Sequence, residues 1–275
     1  MAIVLPTKRQ EVSSFNPRLI ILFGKPKSGK STLMASLDDN LIIDLEDGYK
    51  SLPVMKVDCK NYLDLAEVVN ALKAKTQELN GKKPYKFITL DNASRIEEMA
   101  VAYAADLYRN TPMGQTFGYK KTKENGKEIF IKDQNGNCIK DPKADVRMLP
   151  NGAGWLYMRQ ATMSLIKCFI PYCDTLILIS HVKEREININ SEIMSEVSVD
   201  LAGKTGDILC GEADAIGYIY RKSNETHISF EGGDGGIRES RCKHLSGKNF
   251  VVATSDEKGN LNVDMSKIFL NGDNQ

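Results

Sequence analysis

The chain has 275 residues, a formal net charge of +1 and 27% charged residues of both signs. That length suits one large α/β domain, or one domain with a small insertion. The charge balance excludes a histone-like polybasic protein but leaves room for a local basic loop that contacts nucleic acid. Six cysteines, Cys59, Cys138, Cys168, Cys173, Cys210 and Cys242, form no Cys-x-x-Cys pair and accompany no histidine cluster. They read as free thiols of a reducing compartment, not as zinc ligands.

Residues 1–17, punctuated by Pro6 and Pro17, read as an irregular arm, with no charged-then-apolar order of a signal peptide. Leu19 to Phe23 is a short continuous apolar run, the pattern of a strand covered on both faces of a parallel sheet. A loop over 24–29 leads to a helix from Lys30 to about Leu37. Leu41 to Glu46 is a second buried strand, ended by Asp47-Gly48. Helical spacing over 62–79 is closed by Asn80-Gly81. Lys86 to Asp91 predicts a third strand, and Ser94 to Tyr108 a helix.

Residues 111–150, rich in Gly, Lys, Asn and Asp, read as an insertion with a hairpin turn at Asn135-Gly136. Trp155 to Ile170 is helical in pattern, and Thr175 to Ser180 is a fourth buried strand. Polar chain from 183 to 206 reads as a loop. Further strands fall at 214–221, 226–231 and 250–254, and 256–275 reads as a tail. Strands alternating with helices, followed by hairpins, give an α/β fold with a mainly parallel sheet and a C-terminal antiparallel extension. The apolar stretch 165–180 is broken by Lys167, Pro171 and Asp174, so it does not span a membrane. The expectation is a soluble, cytoplasmic protein.

The chemistry starts at Gly24-Lys25-Pro26-Lys27-Ser28-Gly29-Lys30-Ser31, followed by Thr32. The pattern Gly-x-x-x-x-Gly-Lys-Ser, set between a buried strand and a helix, is a phosphate-binding loop. Its glycines let backbone N–H groups turn inward around phosphates, and the helix N-terminus adds a favourable dipole. Lys30 suits the β- and γ-phosphates of ATP, and the Ser31 hydroxyl suits Mg²⁺. Asp91, at the end of its strand, is the matching metal carboxylate.

Many ATPases with this loop carry a glutamate directly after that aspartate, where this chain has Asn92. Glu46, ending the neighbouring strand, is the candidate to activate the attacking water. His181 follows the fourth strand at the edge where ligands of open α/β sheets collect. It is a candidate sensor of the γ-phosphate.

Together these elements resemble the RecA-like class of P-loop ATPases. More closely, the chain is similar to small phage-encoded RecA-like proteins of the single-strand-annealing recombinase group, over roughly residues 18–250. The carrying residues are the loop with Pro26-Lys27, Asp44-x-Glu46-x-Gly48, Gly154 ahead of Trp155, Ser180-His181-Val182-Lys183, Leu201-Ala202-Gly203-Lys204 and Glu212-Ala213-Asp214. The resemblance places the catalytic glutamate at Glu46. At the sensor position the family usually has Gln, and this chain has His181.

The resemblance further implies a homo-oligomer, ring or filament, in which Arg241 or Lys243 reaches a neighbour's γ-phosphate. It also implies single-stranded DNA as partner, with a single-strand-binding protein in recombination or replication. Loop 183–206 and the insertion are the DNA candidates. In the insertion, Lys120, Lys121 and Lys123 stand beside Phe117 and Tyr119, a pattern of charge and stacking faces suited to single strands. Two other classes stay open: a small-molecule kinase with Arg185 as lid arginine, and a nucleotide-bound assembly module with little turnover.

Overall fold

The structure, a computed structural model, describes Thr7 and residues 15–189, 192–232, 237–256 and 261–270, with the side chains of 185–196 outside that description. Most of the 1–17 arm is therefore also outside it. The first half of the chain runs β1 (Leu19–Gly24), α1 (Lys30–Ala35), β2 (Asn40–Asp44), β3 (Met55–Asp58), α2 (Tyr62–Glu78), β4 (Tyr85–Asp91) and α3 (Ala93–Arg109). A small hairpin of β5 (Lys121–Glu124) and β6 (Lys127–Phe130) precedes α4 (Gly154–Lys167) and β7 (Cys173–Ser180). Then come β8 (Val182–Ile189), β9 (Glu192–Val199), α5 (Thr205–Glu212), β10 (Ala215–Lys222), β11 (Glu225–Ser229), β12 (Glu239–Ser240), β13 (Asn249–Ser255) and β14 (Leu261–Val263).

Ten of these strands form one sheet in the order β3-β2-β4-β7-β1-β10-β11-β13-β14, with β12 beside β10. Pairing is parallel from β3 to β10 and antiparallel from β10 onward. This is the mixed α/β architecture, mainly parallel with a C-terminal antiparallel extension, that the residue pattern implies. The continuous apolar strands are buried on both faces because their alternate side chains enter two different cores. Leu19, Ile21 and Phe23 join the side covered by α2, α3 and α4, with Ile96, Ala100 and Ile166. Ile20 and Leu22 face the side of α1, with Leu33, Met34 and the late residues Ile268 and Phe269. Residues 265–269 thus pack into this core, Phe269 against Phe87 with ring centroids 4.7 Å apart. Asn16 and Leu270 exchange hydrogen bonds of 2.9 and 2.8 Å, tying the start of the domain to this segment.

The helices start where side chains satisfy the free N–H groups. Asn61 and Asp64 form a reciprocal capping box on α2. Asn92 caps α3 by accepting the Arg95 N–H at 3.2 Å, which leaves the Asp91 carboxylate for other work.

Four points differ from the sequence expectation. Chain 183–206 is not a loop: β8 and β9 pair fully from Val182↔Val199 to Ile189↔Glu192, and α5 begins at Thr205. The two strands satisfy each other's backbone N–H and C=O groups. The insertion turns its hairpin at Asn125-Gly126, both at positive φ (49° and 75°), while Asn135-Gly136 makes a separate turn onto Asp133. Edge strand β3, absent from the sequence reading, lies beside β2. α1 also stops at Ala35, two residues before the predicted Leu37.

Gly154 opens α4 against the short helical turn at Val146–Met148. A Cβ there would stand 1.7 Å from the Val146 carbonyl oxygen, a backbone atom that has no rotamer to escape through. Gly154→Ala is expected to cost about 2–3 kcal/mol, lowering the thermal midpoint by roughly 5–10 °C. A melting curve indistinguishable from wild type would show that this segment relaxes freely.

Candidate nucleotide-binding site

Parallel strands in one register deliver their carboxyl ends to one edge of the sheet. Asp44 pairs with Asp91, Asp91 with Ile179, and Phe23 with Ser180. β7 lies between β1 and β4, so His181 emerges flanked by the phosphate loop on one side and Asp91 on the other. The resulting cavity of about 340 Å³ is lined by Pro26, Lys27, Gly29, Lys30, Ser31, Thr32, Asp44, Glu46, Gly48, Asp91, His181 and Arg221.

The loop has the backbone that a phosphate cradle needs. Gly29 (φ 99°) and Lys27 (φ 63°) are left-handed. Gly24 lies so close to β10 that a Cβ would meet the Ile219 carbonyl oxygen at 2.5 Å. Ser28 is buried, and its Oγ has no partner among the described residues. Lys25 is exposed and pairs with Glu184 of β8 at 3.4 Å. The Lys30 ammonium, 8% exposed, donates to the carbonyls of Gly24 (2.8 Å) and Lys25 (2.9 Å). Burial lowers its pKa from the ordinary lysine value, and the carboxylates of Asp91 and Glu46 oppose that shift.

Asp91 is 8% exposed and accepts the Tyr49 hydroxyl on Oδ2 at 2.7 Å. Burial pushes its carboxyl above the ordinary range, Tyr49 and Lys30 pull it back, and Glu46 and Asp44 add to the rise. A buried carboxylate beside a buried hydroxyl and a lysine is a donor set that fits Mg²⁺ and phosphate. When bound, the metal neutralises charge on the phosphate oxygens. Ser31 and Asp91 would hold it, while Lys30 and the loop N–H groups would hold the phosphates.

The loop after β2 is organised by a residue in the quoted Asp44-x-Glu46-x-Gly48 element whose part the sequence did not specify. The buried Asp44 carboxylate accepts the N–H groups of Glu46 (3.2 Å), Gly48 (3.1 Å) and Tyr49 (3.4 Å), and the Lys56 ammonium at 3.2 Å. Four donors on one carboxylate fix where Glu46 stands. Its carboxylate reaches the pocket, 3.7 Å from His181 Nε2. The candidate water activator and the candidate sensor are therefore in contact.

Beyond His181 the chain is fastened on both sides. The Asp200 N–H donates to the His181 carbonyl (3.2 Å) and to Ser180 Oγ (3.1 Å). On α3, Ser94 Oγ donates to the Asp200 carbonyl at 3.0 Å, and the Glu97 carboxylate accepts the Ala202 N–H at 3.0 Å.

Not every candidate reaches the pocket. β12 pairs with Ala215 and Ile216, at the end of β10 remote from Arg221. Arg241 and Lys243 therefore stand at the opposite edge of the sheet from the phosphate loop, with the Arg241 guanidinium on the Gly211 carbonyl at 2.5 Å. Arg221 lines the pocket unforeseen, because only the β1–β10 register places it there. The Arg185 side chain lies outside the described residues.

In the insertion, Phe117 packs edge-on against Tyr108, and Tyr119 lies under the Arg109 guanidinium. Both rings are half-buried and take part in local packing. A larger cavity of about 480 Å³ between α3 and the insertion is lined by groups already bound to one another, Asp106 with Lys140 (2.6 Å) and Arg109 (3.1 Å). Among the described residues no helix is long and apolar enough to cross a membrane.

The chain is similar in fold to a crystal structure of the RadB recombinase, at 13% identity, 89% coverage of this chain, 90% of that chain and a TM-score of 0.42. It is also similar to a prototypical ATPase from the type III secretion system of pathogenic bacteria, at 12% identity, 78% and 60% coverage and a TM-score of 0.38. No curated protein sequence matches it significantly. A family model described as an AAA domain matches residues 16–249, most of the chain, and the chain belongs to that family of P-loop ATPase domains.

Proposed function

We propose that this chain binds and hydrolyses ATP with Mg²⁺ and couples that cycle to single-stranded DNA, as an oligomer. The carrying observation is the convergence of Lys30, Ser31, Asp91, Glu46 and His181 on one cavity at one edge of the parallel sheet. Lys30 and the loop orient the β- and γ-phosphates. Glu46 accepts the proton of the attacking water and is held for that task by the Asp44 network. His181 senses the γ-phosphate end and Glu46 together, and the β8–β9 hairpin begins at the next residue. Arg241 and Lys243, away from their own pocket, serve a neighbouring copy, where a cation stabilises charge on the transferred group.

The DNA part rests on a second cavity. Trp155, 44% exposed, stands with Arg159 and Lys204 around a hollow of about 280 Å³ closed by Ala202, Gly203 and Thr205. Neither cation is in an ion pair among the described residues. An exposed indole beside two available cations suits a stacked base and its phosphate. The hollow adjoins Ala202, whose N–H is bound by Glu97 of α3, five residues beyond Asn92.

The test is ATP hydrolysis with and without single-stranded DNA, together with DNA binding at fixed salt. Trp155→Ala is expected to weaken binding about tenfold. Arg159→Ala is expected to lower the salt dependence by about one phosphate contact. Turnover indifferent to DNA, with unchanged binding in both variants, would remove the DNA role and leave the ATPase.

A further inference from the structure

Tyr49 stands in the nucleotide site without any motif to announce it. It is 1% exposed, and its ring belongs to the core with Leu33, Met34 and Ile42. The hydroxyl points out of that core at the metal-side groups: it donates to Asp91 Oδ2 at 2.7 Å, with the Ser31 hydroxyl close beside it. Its backbone N–H is one of the donors on Asp44, the carboxylate that also holds the Glu46 N–H. One residue therefore touches the metal carboxylate through its side chain and the water-activating loop through its backbone.

We infer that Tyr49 is a positioning residue for the metal-nucleotide complex, clamping one oxygen of Asp91 so that the other is presented to the metal and its water. This rests on the ATP and Mg²⁺ reading of the site. The physical basis is that a buried carboxylate has two equivalent oxygens and a free χ2 rotation. A single short hydrogen bond from a rigid aromatic arm removes that freedom and fixes which oxygen faces the cavity. The phenol O–H donates to this carboxylate oxygen at 2.7 Å, in the direction its ring holds it. Groups that orient a metal ligand in this way govern metal affinity although they do not touch the metal.

The same residue makes loop 44–49 part of the metal site. Glu46 and Tyr49 hang on one carboxylate, Asp44, so the side chain that orients Asp91 and the one that would activate water share a single support. That shared support distinguishes this arrangement from two independent side chains that happen to share a cavity.

The experiment is nucleotide binding by the full chain, measured with a fluorescent ADP in the presence of Mg²⁺ and in the presence of a chelator. Tyr49→Phe keeps the ring in its packing and removes only the hydroxyl. The expected result is a loss of about tenfold in the Mg²⁺-dependent part of the affinity, with chelator-state binding unchanged. A merely structural role would move both equally or neither.

The double variant Tyr49→Phe/Asp91→Asn supplies a second measurement through a mutant cycle, in which Tyr49→Phe is expected to have no further effect once Asp91 is replaced. Equal Mg²⁺ dependence in wild type and Tyr49→Phe would overturn the inference, as would full additivity in the cycle. A wild-type protein that binds no nucleotide under either condition would overturn the ATP reading itself, and the role with it.

Discussion

Lys30→Ala is expected to abolish ATP turnover, by about a thousandfold or more, while the protein stays folded. The ammonium is buried in the loop and bonded to two of its carbonyls at 2.8 and 2.9 Å. It is also the positive charge that opposes Asp91 and Glu46 in the cavity. Alanine removes the contact to the transferred phosphate and leaves two carboxylates facing the place where the phosphates sit. Binding is expected to weaken along with the rate, because the lysine meets ground-state and transition-state charge alike. Phosphate release and fluorescent-nucleotide titration on the same preparation would check both effects. Turnover within threefold of wild type would mean that the phosphates are held elsewhere.

The second large effect is expected at Glu46. Glu46→Gln keeps size and hydrogen bonding but cannot take a proton, so kcat is expected to fall about 10²–10⁴-fold with nucleotide affinity within severalfold. The separation of rate from binding is the informative part, since Glu46 contacts His181 and belongs to the Asp44 loop without touching the lysine–carbonyl cradle. Unchanged turnover in this variant would favour the nucleotide-bound assembly module. Phosphate recovered on a nucleoside or metabolite would instead favour the kinase.

The parallel half of the sheet was legible because each of its central strands is a continuous apolar run whose end is marked by a change of residue type. Gly24, Asp91 and Ser180 could all be placed at one edge from that pattern alone. β3 escaped notice although Met55-Lys56-Val57-Asp58 alternates, since a four-residue edge strand gives too short a period to stand out. The β8–β9 ribbon escaped because its pairing is between backbones and its sequence is mostly polar.

Within the site, the phosphate loop announced itself by spacing. Tyr49 and Arg221 did not, because their roles come from registers between distant strands, β2 with β4 and β1 with β10. Phe117 and Tyr119 have local packing that spacing could not reveal. A basic run with aromatics looks the same in sequence whether its rings face solvent or, as here, pack on Tyr108 and beneath Arg109.

The fastening of the β8–β9 hairpin has a mechanical side. The hairpin is a cantilever with two supports: the end of β7 at Ser180-His181, and the first turns of α3 through Ser94 and Glu97. A force on its base divides between those two members. One ends at the histidine that meets Glu46, and the other ends at the cap residue next to Asp91. A displacement of the hairpin base therefore strains both sides of the candidate nucleotide site at once, and stiffening either support raises its resistance.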